Sequence, residues 1–369
     1  MTVPCPFGSP GRFRPRLPEL TPPVSPRSGF GDELQLVAGP VTASGSLYAA
    51  DRALGLVCLD ATTGAIRWNV ETQRGWGECL LDADHVVTTP RPGRLLVLDQ
   101  RSGAVVSEAY SEVPLLAYSV VVDGQVLGPL VEGDLGAWDL SGQDFAWRVP
   151  STVRVDAPVA VSDGALLTVE KHAVVAYDVA DGTLRWRFDV SEAGQRETIV
   201  DGLRPGQVAT HVVTRDGLTW AGLTGGVVVA IGLDDGEQRW RAALGSVTAP
   251  VVDLTPATEG DAGSLVVVAD HDLVRLDAAT GDVRLREGLD QQRLQSPVVS
   301  MALSAAHAWL VDRQGRLTAV ALDTGEISDQ RETGGFVHQP PLVTDDGVYV
   351  TDFEGRLHAF APDPTATGT

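Results

Sequence analysis

His211 is the side chain in this 369-residue sequence best suited to general acid–base work. Imidazole is the one group whose unperturbed pKa lies near neutrality. Its position follows from aligning the internal repeats on the proline that opens each unit's first strand. The equivalent positions then read Pro40, Cys79, Tyr118, Pro158, His211, Pro250, Pro297 and Pro341, so Tyr118 and His211 break the proline pattern. Just upstream lie Trp76, Glu78, Asp156, Gln295, His338 and Gln339. In this set His211 is the candidate acid or base, and Asp156 and Glu78 can orient or charge-match it. Tyr118 can donate a hydrogen bond to a developing anion, while Trp76, Gln295, His338 and Gln339 are candidate binding residues. The competing reading is an ordinary polar, solvated wall.

Other catalytic signatures are missing. No Gly-x-Gly-x-x-Gly follows a strand and opens a helix, and there is no P-loop and no Gly-x-Ser-x-Gly elbow. No pair among His85, His172, His211, His271, His307, His338 and His358 has metal-ligand spacing, and Cys-x-x-Cys does not occur. The Asp-rich turns look superficially like calcium loops, but turn capping accounts for them without an ion. The expectation is therefore no metal and no cofactor, with a zinc site assembled from several repeats left as an alternative.

These residues have to be positioned by strands. Valine-rich runs bounded by Asp-Gly or Thr-Gly recur throughout, and 40 glycines and 23 prolines supply turns. Asp60-Ala-Thr-Thr-Gly64 precedes Trp68, Asp178-Val-Ala-Asp-Gly182 precedes Trp186, and Gly232-Leu-Asp-Asp-Gly236 precedes Trp240. Asp99 to Gly103, Asp277 to Gly281 and Ala321 to Gly325 repeat the turn without the Trp, and Asp139 to Gly142 is one residue short and precedes Trp147. A period of about forty residues with three or four short strands per unit is that of a propeller blade. The Asp caps its own turn, the Gly supplies positive φ, and the Trp on the following strand offers a flat surface to a neighbouring blade. Eight units predict an all-β, eight-bladed propeller of four-stranded antiparallel blades.

The Asp-x-x-Thr-Gly-x-x-x-Trp motif resembles the repeat of the pyrroloquinoline-quinone (PQQ)-type propellers over roughly residues 35 to 361. That family includes quinoprotein alcohol dehydrogenases and a bacterial outer-membrane assembly lipoprotein. For the dehydrogenases the resemblance implies a calcium site, a disulfide between adjacent cysteines and a longer chain. No Cys-Cys pair exists here, so no quinone-binding residue carries over and PQQ is not expected. The assembly lipoproteins match better in length, but the signal and lipid anchor they need are not evident.

The eighth unit ends three strands long, at Phe360. Residues 1–34 are Pro-rich and are expected to supply the closing strand, at 12–17, where period-two alternation occurs. Residues 35–361 form the propeller and 362–369 a frayed tail. Insertions at 191–206 and 255–263 are candidate functional loops.

A net charge of −21 disfavours nucleic acid and anionic membranes. No run of about eighteen apolar residues could form a spanning helix, and the start of the chain lacks an apolar leader. Three sparse cysteines, Cys5, Cys58 and Cys79, fit a reducing compartment. Together these features predict a cytoplasmic monomer away from membranes. Its expected role is that of a non-catalytic binding or scaffold propeller for an unknown protein or small-molecule ligand. The alternative is a hydrolase, lyase or cyclase of specialised metabolism acting at the mouth of the central channel.

Overall fold

The computed structural model describes residues 17–363, except 32, 73–78, 92, 112–117, 131–132, 142–143, 152–158, 171, 191–207, 224, 246–250, 256–262, 270, 290–297 and 338. Eight four-stranded antiparallel sheets form eight blades. Blade 1 comprises Val41–Ala43, Ser46–Asp51, Gly55–Asp60 and Ile66–Val70, innermost strand first. Blades 2 to 7 repeat that order, starting at Cys79, Val120, Ala160, Val208, Val251 and Val298. Blade 8 contains Leu342–Val343, Val348–Thr351 and Leu357–Pro362. Its outer strand is Val24–Pro26, paired as Val24↔Pro362 and Pro26↔Phe360. Alternation pointed instead to 12–17, of which 12–16 lie outside the described residues. Leu17 is buried against blades 6 and 7, so the chain runs over the core of those blades before it pairs.

The middle strands are buried on both sheet faces, as in Ala165–Glu170 and Val227–Gly232. A blade covered on one face only would expose half of these apolar side chains, so the ring is what makes each sheet stable. The clusters show it: Trp186 of blade 4 packs with Val229 and Ile231 of blade 5 in one core.

The junctions have a common chemistry. Trp186 Nε1 donates to Leu233 O at 2.6 Å, Trp147 Nε1 to Val179 O at 2.8 Å, Trp240 Nε1 to Ala278 O at 3.1 Å and Trp68 Nε1 to Gln100 O at 3.2 Å. Each acceptor follows the first residue of the next blade's Asp-x-x-x-Gly turn. Gly182 of one such turn has φ 73°, and a Cβ there would lie 2.5 Å from the Trp147 ring. Glycine is thus required both for the left-handed backbone and for the approach of the indole.

Each outer strand of blades 1 to 7 carries a bulge beside the turn. In blades 1, 4, 5 and 6 the unpaired bulge residue is an arginine, and it folds back on a turn aspartate. Arg67 lies 2.6 Å from Asp60, Arg185 2.7 Å from Asp178 and Arg239 2.6 Å from Asp235, and Arg284 pairs with Asp277. These arginine hydrogen bonds hold the Asp60, Asp178 and Asp235 carboxyls below the usual carboxylate range.

Three outcomes are expected. In urea unfolding, Trp186→Phe keeps the ring but leaves the Leu233 carbonyl unpaired, at a cost of about 1–3 kcal/mol. Gly182→Ala adds left-handed strain and overpacking, at about 2–4 kcal/mol; an unchanged midpoint would contradict the account of the turn. As for pH, the turn aspartates bind fewer protons folded than unfolded. Their contribution is present above the unfolded value of about 4 and is lost as pH falls through the lower folded values. The melting temperature should therefore drop on acidification below about pH 4; a constant value down to about pH 2 would contradict the role of these carboxylates.

Candidate functional site

Antiparallel order puts the start of each innermost strand on the same face as the turn between the second and third strands. The connection from the preceding blade lies there too. This is the mouth face. Of the eight residues expected to build a site on it, Trp76, Glu78, Asp156, Gln295 and His338 lie outside the described residues. His211 falls within the innermost strand of blade 5, Val208–Arg215, at a stretch where pairing shifts between Val208 and Val212. Tyr118 precedes the innermost strand of blade 3 with φ 72°, a conformation that bulky residues adopt only when their surroundings impose it. Its carbonyl accepts Val159 N of blade 4 at 3.2 Å, so it ties two blades together at the mouth.

Gln339 also joins blades. Its carbonyl accepts the Ser300 hydroxyl of blade 7 at 3.0 Å, and its side-chain oxygen sits where a Cβ on Gly39, at the start of blade 1, would meet it at 2.9 Å. That Oε1 atom is buried without a hydrogen-bond partner. The structure thus brings Gln339 to the junction of blades 7, 8 and 1, and Tyr118 to that of blades 3 and 4. Among the described residues it assembles no acid–base pair from the predicted set.

The same face holds a feature that the sequence reading missed. Phe336 and Phe353 are 70% and 71% exposed, and Phe353 N donates to Phe336 O at 2.7 Å. Phe336 lies in the connection between blades 7 and 8, and Phe353 in the mouth-face turn of blade 8. The connection is also bonded to blade 7, by Thr333 N to Gly315 O at 2.9 Å and Val337 N to Arg313 O at 3.4 Å. Two largely exposed apolar rings are therefore carried on backbone that is hydrogen-bonded to both neighbouring blades.

Buried aspartates support these turns. Asp352 Oδ1 accepts Glu354 N and Arg356 N, each at 2.9 Å, and Oδ2 lies 2.9 Å from His358 Nε2. Gly335 passes so close that a Cβ would lie 2.7 Å from Asp352 Oδ2. Asp312 holds the blade 7 turn through Gln314 N and Arg316 N, and Asp51 holds that of blade 1 through Ala53 N and Leu54 N. A readable signal existed. In two equivalent turns, Asp312-Arg313-Gln314-Gly315 and Asp352-Phe353-Glu354-Gly355, the second residue is charged in one and aromatic in the other.

A family model described as outer membrane protein assembly factor BamB matches residues 26–131 and 131–362. Outer membrane protein assembly factor BamB of Yersinia pestis is 26% identical over 357 residues, covering 90% of this chain and 86% of its own length. BamB of Alkalilimnicola ehrlichii is 30% identical over 209 residues, covering 55% of this chain and 50% of its own. Among solved structures, BamB from Moraxella catarrhalis superposes with a TM-score of 0.70 at 16% identity, covering 92% of this chain and all of that one. Quinohemoprotein alcohol dehydrogenase from Comamonas testosteroni gives 0.66 at 12% identity, covering 96% and 79%.

These relatives correct four expectations. Proteins named for outer membrane protein assembly stand against a cytoplasmic location, against a cytoplasmic scaffold role and against separation from membranes. They also lend nothing to a hydrolase, lyase or cyclase, and that alternative is withdrawn together with small-molecule turnover at the channel mouth. The physical error lay in the cysteines. Cys58 and Cys79 are in no disulfide, and both are buried as small apolar fillers between blades 1 and 2, so their reduced state reflects packing and says nothing about the redox compartment. The turn chemistry, the eight blades and the family match over 26–362 converge: the chain belongs to the PQQ-type β-propeller family of the outer membrane protein assembly factor BamB.

Proposed function

We propose that the protein takes part in outer membrane protein assembly by binding protein partners, and that the Phe336–Phe353 surface on blades 7 and 8 is one of its contacts. The reading is carried by the family match along nearly the whole propeller. It is supported by two exposed phenylalanines fixed on a hydrogen-bonded loop face. Aromatic side chains are the usual anchors of protein interfaces, and rigid presentation lowers the entropic cost of docking. The acidic surface adds selectivity for partners with basic patches, through steering more than through affinity.

Deleting the gene in the organism that encodes it should lower the amount of outer membrane proteins recovered in the outer-membrane fraction, measured by quantitative mass spectrometry. Complementation with a Phe336→Ser, Phe353→Ser double variant should leave that deficit in place. Because both rings are already solvated, the variant should melt within about 0.5 kcal/mol of the parent protein. Unchanged outer membrane protein levels on deletion would overturn the reading. Full complementation by the double variant would remove the phenylalanine pair from it.

A further inference from the structure

An outer strand is an open sheet edge, and folded proteins guard such edges with charge, proline or bulges. On this ring the guard is visible blade by blade. The bulge arginine of blades 1, 4, 5 and 6 puts a charge on the outer strand and folds back over the turn onto its aspartate. Blade 3 has Arg148 paired with Asp134. Blade 7 has Arg331 beside Asp329, and blade 8 ends its short outer strand on Pro26.

Blade 2 breaks the pattern on its outer strand, Val105–Tyr110. Strand pairing runs Leu98↔Val105 and Val97↔Ser107, which leaves Val106 as the bulge residue where blades 1, 4, 5 and 6 have arginine and blades 3 and 7 have Ala146 and Ser328. Ser107 stands where the repeat has its tryptophan. The only charged residue on the strand, Glu108, pairs with Arg94 at 2.7 Å as Arg148 of blade 3 does with Asp134, but it puts a negative charge where that blade has a positive one. Val105, Val106 and Tyr110 are 50%, 57% and 61% exposed, which makes this six-residue edge the richest in exposed large apolar side chains among the described strands. With no arginine at the bulge, Asp99 is served only by its own turn: Arg101 N, Ser102 N and the Ser102 hydroxyl.

We infer that the outer strand of blade 2 is a docking edge for an extended segment of another polypeptide, added as a fifth strand, with apolar residues alternating with basic ones. The backbone edge supplies the hydrogen bonds, and the exposed side chains of Val105, Val106 and Tyr110 supply apolar contact. Charge selects the occupant. The chain carries −21, and the Asp99 carboxylate takes no arginine from the outer strand of its own blade. A basic segment gains from both, whereas a second copy of this chain would bring a second −21 to the same edge. The inference goes beyond the proposed function and uses a different surface from the phenylalanine pair, so either can fail while the other stands.

The test is a fluorescence anisotropy titration of the full chain with a fluorescein-labelled ten-residue peptide alternating valine or threonine with lysine. The control peptide has the same sequence except that one central valine or threonine is replaced by proline. Saturable binding is expected for the first peptide only. Val106→Arg, which restores the guard of the other blades, should weaken binding by roughly tenfold or more. Ser328→Arg, the same charge added at the bulge of blade 7, should change it less than about twofold. Failure of the parent chain to bind, equal binding of the proline peptide, or equal effects of the two arginine variants would each overturn the inference. So would sedimentation velocity showing a dimer that Val106→Arg dissolves, since the occupant would then be a second copy.

Discussion

In six of the eight blades one backbone carbonyl, on the residue after the start of the Asp-x-x-x-Gly turn, receives a side-chain donor from the preceding blade. The donor is a tryptophan indole at Gln100, Val179, Leu233 and Ala278. It is Tyr349 together with Arg27 at Ala61, and Arg275 at Leu322. The junction of blades 7 and 8 has no such turn to use, and Arg331 and Asp329 instead bond the backbone of Val24. The donor varies while the acceptor stays, because a buried carbonyl left unpaired costs as much as the hydrogen bond it lacks. Much else follows from this bond: the glycine that lets the indole approach, the bulge that turns the strand over it, and the arginine that closes over the turn.

The junction of blades 2 and 3 is the exception. Ser107 replaces the tryptophan, the blade 3 turn is one residue short, and among the described residues no side chain of blade 2 reaches the Leu140 carbonyl. Trp138 and Phe145 of blade 3 fill the local core with an edge-to-face contact at 4.9 Å. The exposed Val105, Val106 and Tyr110 lie on blade 2, at the same junction. A repeat protein keeps its rule where the rule only holds the ring together, so places where several positions break it at once are where function is expected.

The fold was legible because its determinants are local. The Asp, Gly and Trp of each unit act within one turn and its neighbour, so spacing in the sequence reports contact in space. The outer strand of blade 8 was harder to find. Val24–Pro26 is three residues long, too short to show alternation, and it is secured by residues more than 300 positions away. The mouth was less legible still. His211 lies in a stretch of irregular pairing, where aligning repeats by one proline does not fix which face a side chain takes. Tyr118 is distinguished by a backbone conformation that composition does not encode. Asp51, Asp312 and Asp352 each look like an ordinary loop aspartate until the turn closes on them. Cellular location was misread because buried cysteines and acidity are set by packing and solubility as much as by compartment.

Native-state hydrogen exchange resolved strand by strand tests the central claim that the inter-blade carbonyl bond sets the stability of each junction. The account predicts that the amides of Val105–Tyr110 exchange faster than those of the latched outer strands Leu184–Asp189 and Gln238–Ala243, with the difference vanishing in a Trp186→Ser, Trp240→Ser variant. Equal protection of all three strands in the parent protein would contradict it.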